Sequence, residues 1–231
     1  MATAQPQNEP ELPRSLPRGP HRLAREVVAA SQRGRLIEAM AEAVAQKGYA
    51  ATTVADVVSR AGVSRKTFYE HFRNKEDCFL VAYDTGVEIL LGELATRAEA
   101  AAPDLGWRER VRGGIRAYLE VLASEPAFAH TFLVEVLAAG PQALHRRDEV
   151  HRRFVELLRG QVALARRDHP ELPDVPEPVY AAIVGGINEV VSSWVREGRT
   201  ADLPELEPAL TYFQLALLAG PKIAKEALTS W

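Results

Sequence analysis

The chain has 231 residues, 47% of them hydrophobic and 26% charged, which suits one large or two small soluble domains with a buried core. A net charge of −3 taken alone argues against nucleic-acid binding, and a single cysteine excludes an intramolecular disulfide. No run approaches the roughly 20 apolar residues of a membrane span, and the N-terminus lacks the apolar core of a signal peptide, so a cytoplasmic protein is expected.

Residues 1–20 hold five prolines and few large apolar side chains, and residues 1–22 are read as a disordered tail. Beyond them nearly everything has helical periodicity, and no run alternates with period two over a strand's length. Leu36, Ile37, Met40, Ala41 and Val44 share one face of a first helix, which ends at Gly48. Thr53 is the expected N-cap of a second, short helix, with Asp56 three residues on. Val54, Val57, Val58 and Ala61 form its apolar side, and Gly62 stops it. Ser64 caps a third helix that runs through Phe68, Tyr69 and Phe72.

Asn74 caps a long fourth helix, with Glu76 and Asp77 favourably placed in its first turn. Cys78 sits in its pattern as a small core residue, and Phe79, Leu80, Tyr83, Val87, Leu90, Leu91 and Leu94 point inward. Pro103 and Gly106 then interrupt the periodicity. Further helices are expected over 107–123, 126–138, 142–168, 177–198 and 205–228, separated by proline and glycine. The fold class is therefore all-α, with a tri-helical head and a helical body. The domains divide as a tail over 1–22, a head over 23–77 and a body over 78–231.

The second and third helices are joined by Gly62, Val63 and Ser64, the geometry of a helix-turn-helix. Such a motif needs one face of its second helix packed and the other free for a major groove. Phe68 and Phe72, four residues apart, can pack inward, while Arg65, Lys66 and Tyr69 share the opposite side. Thr67, His71 and Lys75 flank that side. The first 80 residues hold 12 basic and 9 acidic side chains against 16 and 22 in the remainder, so a mildly basic head precedes an acidic body.

The stretch TTVADVVSRAGVSRKTFYEHFRNKEDCFLVAYD resembles the signature of the TetR family of bacterial regulators. The elements that carry the likeness are Thr52-Thr53, Ala61-Gly62-Val63-Ser64, Thr67-Phe68-Tyr69, His71-Phe72 and Lys75-Glu76. The resemblance implies that Tyr69, Thr67, His71, Lys75 and the helix start at Thr53 contact phosphates. It implies that Arg65 and Lys66 face base edges, with Ser64 at the head of the same helix. Glu70 either reads cytosine or orients Arg65. The implied partners are double-stranded operator DNA, a second copy of the chain and a small-molecule effector. Dimerisation would use the last two long helices, 179–195 and 206–228, whose stripes are Ile183, Val184, Ile187, Val190, Val191 and Trp194, then Leu210, Phe213, Leu217 and Leu218.

An effector pocket in the body is expected among Trp107, Tyr118, Phe128, His130, Phe132, Glu135 and Asn188. No cofactor, metal or catalytic group is expected. There is no Gly-x-Ser-x-Gly, no phosphate-cradling glycine loop and no Glu-x-x-His pair, and Asp148-x-x-His151 lies among arginines. The function read from these residues is a sequence-specific transcriptional regulator, a repressor released by its effector. The alternatives are an activator on the same fold, or a helical ligand- or partner-binding protein without an operator.

Overall fold

The computed structural model describes residues 32–102 and 104–229 of the chain. The tail over 1–22, the start of the head and Pro103 lie outside the described residues.

Three helices build the head. Helix α1, Gln32–Ala51, has a non-helical Gly48 near its end (φ 78°, ψ 158°), so regular helix stops where the glycine allows the left-handed turn. Helix α2, Val54–Ala61, is opened by Thr53 and closed by Gly62 at φ 63°. Helix α3, Arg65–His71, is opened by Ser64, whose hydroxyl accepts from the Thr67 amide at 3.0 Å. Helix α4, Lys75–Ala100, follows after Asn74 caps the Asp77 amide at 2.8 Å. All five boundaries, at Gly48, Thr53, Gly62, Ser64 and Asn74, match those read from the sequence.

The body comprises α5 (Trp107–Ser124), α6 (Pro126–Leu133), a tight 3-10 turn at Glu135–Leu137, α7 (Pro141–Asp168) and α8 (Glu177–Arg196). A second 3-10 turn, Thr200–Leu206, leads into α9 (Glu207–Ala219) and α10 (Pro221–Thr229). Two expected helices are broken. The 126–138 helix ends at Leu133 and tightens into the 3-10 turn. The 205–228 helix starts at Glu207, where Pro208 fits a first turn, and breaks at Gly220 (φ 93°) before Pro221, which has no amide to continue the ladder.

One hydrophobic cluster joins head and body. Leu36, Met40, Val57, Phe68, Phe72, Cys78 and Phe79 form its head end. Through Tyr83, Val87 and Leu90 of α4 it continues to Leu119, Leu122, Phe132, Val191 and Leu210. The core is therefore continuous across residues 77 and 78, and α4 belongs to both parts. A separate cluster gathers Trp107, Val111, Ala165, Leu172, Leu215 and Ala224. No helix among the described residues is long and apolar enough to cross a membrane.

Candidate nucleic-acid interface

The surface of the head follows from how α3 is anchored. Phe68 and Phe72 are buried with ring centroids 5.6 Å apart, and Phe68 also meets Tyr69 edge-on at 5.3 Å. With that side fixed, Arg65, Lys66, Tyr69, Glu70 and His71 are all exposed, Tyr69 at 57% and the Lys66 side chain at 88%. Glu70 lies 3.9 Å from the Lys66 ammonium, a loose pair on solvated side chains. Arg65 makes no ion pair among the described residues, and the cation beside Glu70 is Lys66. Thr67 is half-buried and shares a hydroxyl contact of 3.0 Å with Ser64.

The start of α2 faces outward too. Thr53 is exposed and forms a reciprocal capping box: the Asp56 amide donates to its hydroxyl at 3.3 Å, and its own amide donates to Asp56 Oδ2 at 2.8 Å. Lys47 reaches Asp56 at 2.6 Å. The Lys47 ammonium first, then the Thr53 hydroxyl and amide, hold the Asp56 carboxyl well below its ordinary range. Thr52, by contrast, is buried, and its hydroxyl donates to the Gly48 carbonyl at 2.8 Å. Of the threonine pair, only Thr53 presents a hydroxyl to solvent.

Lys75 departs from the expected phosphate contact. Its ammonium donates to the Tyr49 carbonyl at 2.8 Å and stands 4.1 Å from the centre of the Tyr49 ring. Burial holds this ammonium below its ordinary value. Tyr49, which no sequence motif marked, is thus part of the head's construction. The only local signal was an aromatic residue directly after the helix-ending glycine.

The seven expected effector residues are not brought to one place. Phe128 and Phe132 stack at 5.2 Å, and Phe132 stacks on Tyr83 at 5.5 Å. Tyr118 meets Phe154 edge-on at 5.9 Å, and burial raises its phenol. Asn188 donates to Ser192 at 3.4 Å. It also faces His151, whose imidazole is held below its ordinary value by burial and by Arg147, against the Asn188 contact. Trp107 lies apart in the second cluster, 6.3 Å from His169. His130 and Glu135 sit where the body meets α1, with Nδ1 and Oε1 3.8 Å apart. A depression of about 350 Å³ opens between α4 and α7, but Asp84, Glu88, Arg146, Glu149 and Arg153 line it. None of the seven expected effector residues lines it.

Against known proteins, residues 36–82 match the family of bacterial regulatory proteins, tetR family. The chain is 24% identical over 175 residues to the fatty acid metabolism regulator protein of Bacillus subtilis, covering 74% of this chain and 88% of the relative. It is 26% identical over 106 residues to the HTH-type transcriptional activator FasR of Mycolicibacterium smegmatis, covering 46% and 47%. The fold superposes with a TM-score of 0.67 on the transcriptional regulator FadR from Bacillus subtilis in complex with stearoyl-CoA, at 21% identity, over 80% of this chain and 97% of that one.

Proposed function

The chain is a DNA-binding transcriptional regulator of the tetR family, and from that premise we propose that it works as a homodimeric repressor which a long-chain acyl thioester releases from its operator. The single observation that carries the DNA half is the division of α3: two buried phenylalanines behind, and Arg65, Lys66 and Tyr69 free in front. In this reading Arg65 and Lys66 meet base edges from the helix that Ser64 begins, and an arginine paired bidentately with guanine discriminates by about 1–3 kcal/mol. Tyr69, Thr67, His71 and the α2 start at Thr53 hold phosphates, as helix N-termini do. Lys75 serves by holding Tyr49. The head spans 23–77 and the body 78–231.

Dimerisation is supported by the outer side of α8 and α9. The Phe213 ring packs so close to Gly186 that a Cβ there would come within 2.9 Å, which brings the two helices together. Beside that contact Val190 and Leu217 stay 40% and 42% exposed, apolar surface that a second copy would cover. Two heads are needed because one reads too few base pairs to select a site.

The effector class follows from two observations. The Phe128–Phe132–Tyr83 stack is an apolar cluster packed on α4, the helix shared by head and body. A structural neighbour was solved with stearoyl-CoA. The test is operator binding after selection of a target sequence from random DNA. Wild type should bind the selected site, Arg65→Ala and Tyr69→Ala should lose specific binding while keeping their helical content, and stearoyl-CoA should release the DNA where free coenzyme A does not. A gel shift unchanged in both variants defeats the DNA reading, and indifference to stearoyl-CoA defeats the effector reading. A second reading, an activator, draws on the likeness to FasR. A reporter with the selected site upstream of its promoter decides the sign.

A further inference from the structure

We propose that Glu135 is a positioning residue for operator binding: its carboxylate grips the backbone of Tyr49 and so fixes the head on the body. This rests on the reading of the chain as an operator-binding dimer.

The grip begins with Gly48. Its left-handed conformation ends the hydrogen-bond ladder of α1, so the next amide, on Tyr49, needs an acceptor from elsewhere. Glu135, 86 residues away, supplies one: the Tyr49 amide donates to its Oε2 at 2.6 Å. The same glycine makes room, because a Cβ on Gly48 would stand 3.3 Å from that oxygen. The Tyr49 carbonyl, on the other side of the residue, accepts the Lys75 ammonium at 2.8 Å. Tyr49 is thereby held between the body and the first turn of α4. Its ring is edge-on to Phe79 at 4.9 Å, so it has little freedom to turn.

The site is well placed to transmit. On the head side, Lys47 precedes Gly48 and pairs with Asp56 of the α2 cap, and Thr52 bonds the Gly48 carbonyl. The presentation of Thr53 therefore depends on the conformation of 48–49. On the body side, Glu135 follows directly from α6. That segment also touches α1 through the Thr131 hydroxyl, which donates to the Ala41 carbonyl at 3.3 Å. It touches α4 through Phe128, whose ring lies so close to Gly86 that a Cβ there would come within 2.2 Å. A displacement of the Phe128–Phe132 stack moves the segment that ends in Glu135. The Glu135 side chain is only 14% exposed, so water does not readily replace a lost bond, and the coupling is stiff.

The experiment compares full-length wild type, Glu135→Ala and Glu135→Gln. Glutamine keeps an acceptor oxygen and should restore what alanine removes. Selective nitrogen-15 labelling of tyrosine reports exchange of the Tyr49 amide. A spin label at Ser59→Cys, exposed on α2, reports the distance between the two heads of the dimer, while the buried native Cys78 stays unlabelled. In Glu135→Ala the Tyr49 amide should exchange at least about tenfold faster, the scale of a lost bond to a charged acceptor. The head-to-head distance distribution should broaden, and affinity for the selected operator should fall about tenfold, the same scale of loss. Glu135→Gln should stay near wild type in all three. If Glu135→Ala keeps both a narrow distance distribution and full operator affinity, Glu135 does not position the head. Should wild type bind no operator at all, the regulator reading fails instead. The distance distribution then judges the grip alone, broad in Glu135→Ala supporting it and narrow overturning it.

Discussion

At Lys75 two roles compete for one ammonium. A phosphate contact would leave it extended into solvent, but it lies over the Tyr49 ring and bonds the Tyr49 carbonyl. The two roles differ in salt dependence. Removing a phosphate contact lowers the slope of log affinity against log salt by about 1. Lys75→Gln is expected to weaken operator binding with the slope unchanged, because the loss comes from a misplaced Tyr49. A slope reduced by about 1 in Lys75→Gln would restore the phosphate assignment. At the same scale Cys78 is a clear case of an inert thiol. It is fully buried, its nearest acceptor is the Leu36 carbonyl at 3.9 Å, and burial pushes the thiol up to about 12. A water-soluble disulfide reagent at pH 8 should label it only as fast as the native protein opens. Labelling within seconds under native conditions would contradict that burial.

Among the elements, α2 depends most visibly on one local device. Its capping box satisfies two backbone amides at once, at Thr53 and Asp56. Thr53→Ala is expected to destabilise the protein by about 0.5–2 kcal/mol in a denaturant titration, the usual cost of a lost N-cap. Asp56 adds a pH dependence of definite sign. Its folded carboxyl lies below the ordinary value, so the stability it confers is present at neutral pH and lost as pH falls below the ordinary aspartate value of about 3.9. The stability gap between wild type and Asp56→Asn should therefore close on acidification, and a gap constant from neutral pH down to about pH 3 would refute the assignment. These devices were legible because each spans three or four residues: Thr53 with Asp56, Ser64 with Thr67, Asn74 with Asp77. The same local signal stands at Gly220-Pro221, where the helix expected over 205–228 breaks, just as Gly140-Pro141 marks the break before α7. What no spacing carries is long-range placement. Glu135 meets Tyr49 across 86 positions, and Trp107 packs with Leu215 and Ala224 away from Phe132. Aromatic and polar residue types suggested a single pocket, but which of them share a place is decided by helix packing.

For the whole molecule the continuous core has a thermodynamic consequence. Phe68 and Phe72 of the head and Leu119, Phe132 and Val191 of the body belong to one hydrophobic cluster, bridged by α4. A head with a core of its own could melt first and leave the body folded. Here, loss of the head would strip Phe79 of its neighbours on α1, including the Tyr49 ring, and open the cluster that continues through Tyr83 to the Phe132 ring of the body. Head and body are expected to unfold together, so probes of different regions should give coincident transitions. Far-UV circular dichroism reports all helices, whereas fluorescence reports Trp107 and Trp194, which lie in the body, along with Trp231 near the C-terminus. If the chain dimerises through α8 and α9, the common midpoint should also rise with protein concentration. A dichroism transition well below the tryptophan transition would mean that the head opens independently. In that event the bond between Glu135 and Tyr49 would be too weak to hold two heads at the spacing of adjacent half-sites, and operator affinity would have to come from DNA ordering the heads as it binds.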